Sequence, residues 1–293
     1  MDAHIGYMAI VSEQPEVLAD FYAKYFGMWK LGSSPEGDVS ITDSYLNVSI
    51  LKRRPGVEGA SGRPGLSHYG ISIGDIHEVE GNLEEFAPHS NIEQESGGLH
   101  HGEYRVYGPN GLPISLSTRS FGVSGTPRVL PRIRHMAFNF PKVQDDQMDF
   151  LTKVFGFQEV KLSLKRREQG RSSRFGGDGS VNIALLALNP EFSQARQDWV
   201  AKDDAEEERL NKTGFNHFGF VVEDKDALMS TLPAELQELV KQSMTTVDMA
   251  EYRIHDPDGN GIDISTRGYE VGYDQWVNST GRTITSAERF ATV

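Results

Sequence analysis

The sequence has no cysteine. Disulfides, thiolate metal sites and a cysteine nucleophile are therefore excluded, and a reducing compartment suits the chain. Basic residues are scarce: 29 Lys and Arg stand against 42 Asp and Glu, a formal net charge of −13. Nucleic acid and anionic lipid are poor partners for such a chain, because phosphate contacts need clustered cations. Solubility is the simplest role for the negative charge. No apolar run approaches the roughly 18 residues of a membrane span. The start, MDAHIGYMAI, lacks a basic stretch and a long apolar segment. No export signal is expected, and a cytoplasmic location is. P-loop and dinucleotide fingerprints are also missing. What remains is a chain of 293 residues, 38% hydrophobic and 10% aromatic, enough for one large packed domain or two ordinary ones.

The chain repeats itself. EYRVYGPNGLPISLSTR (Glu103–Arg119) and EYRIHDPDGNGIDISTR (Glu251–Arg267) share nine of 17 positions. LSHYGISIGD (Leu66–Asp75) matches FNHFGFVVED (Phe215–Asp224), and Ile5–Met28 matches Ile133–Phe157. The halves are duplicates, with extra residues in the second around Glu191–Lys212. Each half splits again. Ile5–Ile10, Ser67–Ile73, His135–Phe140 and Asn216–Val222 read as strands, and a helix follows each. Helices are expected at Pro15–Phe26 and Val143–Phe155, stopped by Gly27 and Gly156, and also at His77–Phe86 and Asp224–Gln242. Further short strands follow, among them Asn182–Leu188. DPDGNG makes a turn between two strands within Tyr252–Ser265. The expected class is α+β, with four strand–helix–three-strand modules paired into two tandem domains. They would cover residues 1–124 and 130–270, with a tail at 271–293 and a boundary at Gly125–Pro131.

Duplication also filters the nine histidines. In the second half, His135 opens the first strand of module three, His217 opens that of module four, and Asp263 lies on the last strand. The first half has Tyr7, His68 and Ser115 there. It keeps one imidazole and cannot form such a set, so no metal site is expected in residues 1–124. Two imidazoles and a carboxylate leave open positions on a metal, which suits Fe(II), while Mn(II) and Zn(II) also accept these donors. His135 shares a strand face with Ala137 and Asn139, and His217 with Gly219, so small neighbours leave room for a ligand. His4 reads as a surface residue and His68 as a remnant of duplication. His100 and His101 are adjacent on the chain and point apart. The repeated EYR and STR segments read as structural, with a Glu251–Arg253 pair bracing the sheet. The acidic run DDAEEER reads as a solvated segment, or as a lid between two ligand strands.

Four such modules resemble the vicinal oxygen chelate superfamily of glyoxalases, bleomycin-resistance proteins and type I extradiol catechol dioxygenases. The layout is similar to that of the two-domain extradiol enzymes. Their metal sits in the second domain, held by a His opening module three, a His opening module four, and a Glu six residues after the Pro of a P-x-G turn. His135, His217 and Asp263, six residues after Pro257, fall on those positions. The resemblance implies ring cleavage of a catechol-like aromatic with O₂, and assembly into oligomers. It also marks departures. Asp263 replaces Glu. The family's acid–base histidine falls on Ala187 or Leu188, another histidine on Met244, and a tyrosine on Arg253. His255 is the substitute acid–base residue, with Tyr252 beside it. Arg253 is then placed to hold a substrate oxygen, and Phe218 to shape the pocket. Two other readings stay open: a metal-dependent isomerase, lyase or hydrolase that uses no oxygen, and a small-molecule binding protein with a degenerate metal site.

Overall fold

The computed structural model describes residues 1–57, 65–109, 111–123, 130–140, 144–170, 173–187, 214–237, 241–242 and 250–266. The expected acidic insertion, most of the expected boundary, the positions of Leu188, Met244 and Arg267, and the expected tail lie outside these residues.

The first half runs β1 (Ala3–Ser12), α1 (Pro15–Phe26), β2 (Trp29–Ser33), β3 (Val39–Thr42), β4 (Asn47–Lys52), then β5 (Gly65–Ile73), α2 (Ile76–Phe86), β6 (Glu93–Gly97), β7 (Gly102–Tyr107) and β8 (Pro113–Ser117). The second runs β9 (Arg132–Phe140), α3 (Gln144–Phe155), β10 (Gln158–Glu159), α4 (Lys161–Glu168), β11 (Arg174–Gly177), β12 (Asn182–Ala187), then β13 (Gly214–Val221), α5 (Lys225–Thr231), α6 (Ala234–Gln237), β14 (Lys241–Gln242), β15 (Tyr252–His255) and β16 (Gly261–Ser265). Each half forms one eight-stranded mixed sheet. Their orders, β2-β3-β4-β1-β5-β8-β7-β6 and β10-β11-β12-β9-β13-β16-β15-β14, are the same pattern. The first strands of the two modules pair antiparallel at the centre, and each pairs in parallel with the last strand of its own module. The architecture is α+β, with tandem domains built from four βαβββ modules.

Local chemistry explains the helix ends. Pro15 opens α1, where a missing N–H costs nothing. Gly27 and Gly156 end α1 and α3 with φ of 62° and 70°, a left-handed cap that glycine adopts without strain. The long helix expected over Asp224–Gln242 is instead two short ones, broken at Leu232–Pro233, because proline cannot donate to the preceding turn. Lys241–Gln242 joins the sheet as β14. Helix α4 was not expected and lies between β10 and β11.

The halves meet through reciprocal contacts. Asp43 accepts the backbone N–H of Ile133 at the start of β9 (2.8 Å), and Asp178 accepts that of Ile5 at the start of β1 (2.6 Å). Each aspartate also ties its own turn, Asp43 through the N–H groups of Tyr45 and Leu46 and Asp178 through those of Ser180 and Val181. Tyr22 on α1 donates to Asp256 in the β15–β16 turn (2.7 Å). Conversely, Gln147 on α3 presses onto the β7–β8 turn at Gly108, where a Cβ would come within 2.6 Å of its Oε1. One apolar core spans both sheets, with Phe26 stacked on Phe220 at 4.1 Å. It fixes the two sheets against each other and leaves their polar faces outside this seam.

Candidate metal centre

Three adjacent strands set the site. In the β9–β13–β16 register, His135 stands opposite Gly219, and Gly219 opposite Asp263. His217, two residues along the same strand, lies between Ala137 and Gly261. Side chains two apart on a strand share a face, so His135, His217 and Asp263 surround a position where Gly219 contributes no side chain. A Cβ on Gly261 would lie 3.2 Å from the Cβ of His217, so the third small neighbour also keeps that ring in place.

The three predicted ligands converge. His135 Nε2 is 3.1 Å from His217 Nε2, and His217 Nε2 is 3.1 Å from Asp263 Oδ2. All three residues are buried. The missing methylene of Asp263 does not prevent its carboxylate from reaching the imidazoles. Asn182 faces His135 across the parallel β9–β12 pair, and its Oδ1 accepts from His135 Nδ1 at 2.9 Å. Asn216 Oδ1 accepts from His217 Nδ1 at 2.5 Å, and the Asn216 amide donates to Asn139 at 3.0 Å. A β-bulge between Phe215 and His217 lets the adjacent Asn216 and His217 meet. These bonds orient both rings so that their Nε2 atoms face the carboxylate side of the sheet.

Electrostatics agree with that arrangement. Burial, then the neighbouring His217, push His135 down to about 3, so its imidazole is neutral. Burial opposes the charge on Asp263, but Arg253 and His217 outweigh it and hold the carboxyl well below the usual range. Arg253 pairs opposite Asp263 and donates from Nε to its Oδ1, leaving Oδ2 for the imidazoles. The set fits a divalent cation. Two ligands at right angles, each about 2.1 Å from a metal, are ~3.0 Å apart, close to both observed separations.

The surrounding residues sort by strand parity. His255 lies opposite Gly261 on the face of Arg253 and Asp263 and is buried, not solvated. Tyr252 pairs with Ile264 on the other face, and its hydroxyl donates to Asp226 at 3.1 Å near the surface. That corrects its expected place beside the metal. Phe218 alternates with His217 and so points away from it, into the core against Tyr22 and Phe220. It does not shape the pocket. Arg253 is held by Asp263, not by Glu251. Glu251 instead accepts from Thr266 N and Oγ1 (2.6 and 2.7 Å), as Glu103 does from Thr118. This shared strand-end brace explains why those repeated residues persist. The sequence reading missed Asn182 and Asn216, and took Asn139 only as a small neighbour of His135. Their only signal is a polar residue in a buried strand beside each histidine.

The comparisons agree with the geometry. Residues 132–264 match the family model of the Glyoxalase/Bleomycin resistance protein/Dioxygenase superfamily. Solved structures match nearly the whole chain. The 2,3-dioxygenase LapB from Pseudomonas sp. KL28 has a TM-score of 0.61 and 16% identity, over 89% of this chain and 91% of its own. Homoprotocatechuate 2,3-dioxygenase from Brevibacterium fuscum, in complex with 3,4-dihydroxyphenylacetate, gives 0.64 and 14%, over 96% and 84%. An Mn(II)-bound glyoxalase from Novosphingobium aromaticivorans gives 0.58 and 14%, over 89% and 81%. A search of curated proteins finds no match. The chain has the vicinal oxygen chelate fold, and residues 132–264 match the Glyoxalase/Bleomycin resistance protein/Dioxygenase family model. At these identities the structural likeness defines the fold alone. Among the described residues, no helix is long and apolar enough to cross a membrane.

Proposed function

We propose that the protein is a metal-dependent, extradiol-type dioxygenase that cleaves the ring of a catechol-like aromatic. His135, His217 and Asp263 would hold Fe(II), or Mn(II) in its place. The observation that carries this reading is the donor set itself: His217 Nε2 lies 3.1 Å from both His135 Nε2 and Asp263 Oδ2, and all three residues are buried on one face of the sheet. Such a set repels itself unless a cation or a proton lies among the donors. When bound, the metal would supply two vicinal coordination positions for a diolate and one for oxygen.

The chain's own residues have separable tasks. Asn182 and Asn216 orient the imidazoles. Arg253 fixes the carboxylate in one rotamer and offsets the cost of burying its charge. This occupation makes Arg253 a positioning residue and weakens its case as a substrate ligand. His255 is the remaining titratable side chain on that strand face, and we assign it the proton transfers at the substrate hydroxyl. A placed acid–base group of this kind contributes on the order of 10²–10⁴-fold to rate.

Metal content tests the reading first. Protein purified without air should contain stoichiometric iron or manganese, and His217→Ala and Asp263→Ala should each lose that equivalent. Oxygen uptake with a panel of catechols should then follow the metal. Turnover of an enolisable substrate in anaerobic buffer would move the assignment to an isomerase or lyase. Absence of metal after reconstitution with Fe(II) or Mn(II), alongside tight binding of small aromatics, would move it to a binding protein.

A further inference from the structure

The first domain holds a second donor set that the repeat does not predict. His68 occupies the register position of His217, within the central strand pair of its sheet. Glu95 comes from β6 and His100 from the 3-10 turn Gly98–His100 that follows it. Each offers one ligand atom, and these three atoms lie within 4.8 Å of one another. A β-bulge between Gln94 and Gly97 interrupts the β6–β7 pairing. Bulges re-aim side chains at sheet edges, and this one turns Glu95 inward. The residues line a polar cavity of about 420 Å³ together with Ser49, Arg54 and Arg105.

Among the described residues, two atoms of this set have no partner. His68 is 6% exposed, and its Nε2 makes no hydrogen bond. The other ring nitrogen, Nδ1, is 3.1 Å from Ser67 Oγ, so Nε2 can present a lone pair to the cavity. Glu95 Oε2 is likewise buried and unpartnered. Leaving such acceptors buried is costly. The electrostatic frame repeats that of the second domain. Arg105 has the register of Arg253. It donates to Glu95 Oε1 and leaves Oε2 free, as Arg253 donates to Asp263 Oδ1. Burial, then Arg105 and His100, hold His68 neutral, at about 3. His100 is also lowered, mainly by burial.

We propose that His68, Glu95 and His100 form a second divalent-cation site, in the first domain, selective for a first-row transition metal. The donors are two imidazoles and a carboxylate, the class that binds Mn(II), Co(II) and Zn(II) in preference to Ca(II). The carboxylate reaches the site from β6 in place of β8, and one imidazole from a turn in place of β1. His100 is the weakest donor. Its Nδ1 accepts the N–H of Gly102 at 2.9 Å, and its Nε2 lies 3.5 Å from Glu95 Oε1. Coordination at Nε2 moves the ring proton to Nδ1 and gives up the Gly102 bond.

Equilibrium dialysis of the chelator-stripped full chain against Co(II), read by elemental mass spectrometry, tests this site apart from the one in the second domain. Wild type should hold two equivalents, and E95Q and H68A one each, with affinity for the lost equivalent down at least tenfold. D263A should keep the equivalent that E95Q loses. H100A should weaken binding less than H68A. Circular dichroism would show that each variant folds, and E95Q is close to isosteric. The proposal fails if E95Q and H68A bind as much Co(II) as wild type, or if folded D263A binds none. One equivalent in wild type, lost in E95Q and kept in D263A, would support this site and overturn the metal assignment in the second domain.

Discussion

The row His135–Gly219–Asp263 in the second sheet has its counterpart in Tyr7–Gly70–Ser115 in the first. The backbones are alike, and glycine occupies the middle of both. The contents differ. In the first domain, Phe121 stacks on Tyr7 at 4.9 Å and lies so close over Gly70 that a Cβ there would be 2.5 Å from its ring. Aromatic carbon fills the space that polar donors surround in the second domain. A glycine in the middle of the row is therefore a property of the fold, and only the side chains beside it decide between packing and chemistry. The charge pattern follows the same logic. Both sheets keep an arginine opposite the last strand. Where that strand offers Asp263, Arg253 takes it, and where it offers Ser115, Arg105 turns to Glu95 on its other side.

The largest effect should come from removing Asp263. Asp263→Ala takes away a metal donor and leaves Arg253 buried without that carboxylate. Breaking a buried pair from one side costs ~3–5 kcal/mol. Activity should fall at least a thousandfold, and the urea midpoint should fall as well. Ser115→Ala, at the matching position, should change the midpoint by far less. Equal destabilisation by the two variants would contradict the division between a chemical row and a packed one.

Next in size is Phe121→Ala. This ring is fully buried, and truncating a buried phenylalanine costs ~3–5 kcal/mol. The cavity it leaves lies over Tyr7 and Gly70, so the first domain should bind a small aromatic such as indole, detected as a rise in Tm. Metal content and catechol oxidation should persist wherever the variant is folded. Loss of the second-domain metal in folded Phe121→Ala would mean that the two rows are not independent.

Much of this comparison was legible in the sequence. The repeat gave the modules, and the offset between copies gave the triad, because strand register preserves position across a duplication. Parity was the weak point. Tyr252 is one step from Arg253, and Phe218 one step from His217, and on a strand one step means the opposite face. Those two assignments could not survive the actual pairing. Glu95 was overlooked, and His100 was set aside with His101 as a neighbour that points the other way. Glu95 and His100 stand in a bulge and a turn, away from the first and last strands of each module, so a filter built on those strands passes over them. Pro233 was visible as a helix breaker, but the apolar spacing around it concealed the interruption.

A smaller effect separates the two β-turns. Burial pushes Asp256 up to about 6, against hydrogen bonds from Tyr22 and Asn260 that favour its charge, while the matching turn residue is Gly108. Its folded value lies above the ordinary aspartate value of about 3.9. The folded state therefore holds a proton that the unfolded chain releases. Stability from this group is greatest below pH ~4 and is lost as pH rises to ~6, by ~3 kcal/mol in all. Asp256→Asn should flatten the pH dependence of the urea midpoint across that window. An unchanged slope would show that Asp256 is already ionised there.

The smallest effects test where the halves are equal. Asp43 and Asp178 each accept the N–H that opens the other domain's first strand. Replacing either by alanine removes that bond along with two turn bonds. A buried donor left unpaired costs ~1–3 kcal/mol, so Asp43→Ala and Asp178→Ala should lower stability by similar amounts. Each loss should appear most clearly as faster amide exchange at the strand end it no longer holds: Ile133 for Asp43, Ile5 for Asp178. If one variant is neutral and the other severe, the interface is asymmetric despite its matched contacts. The rows would then differ because the domains carry unequal loads, and not only because their side chains diverged.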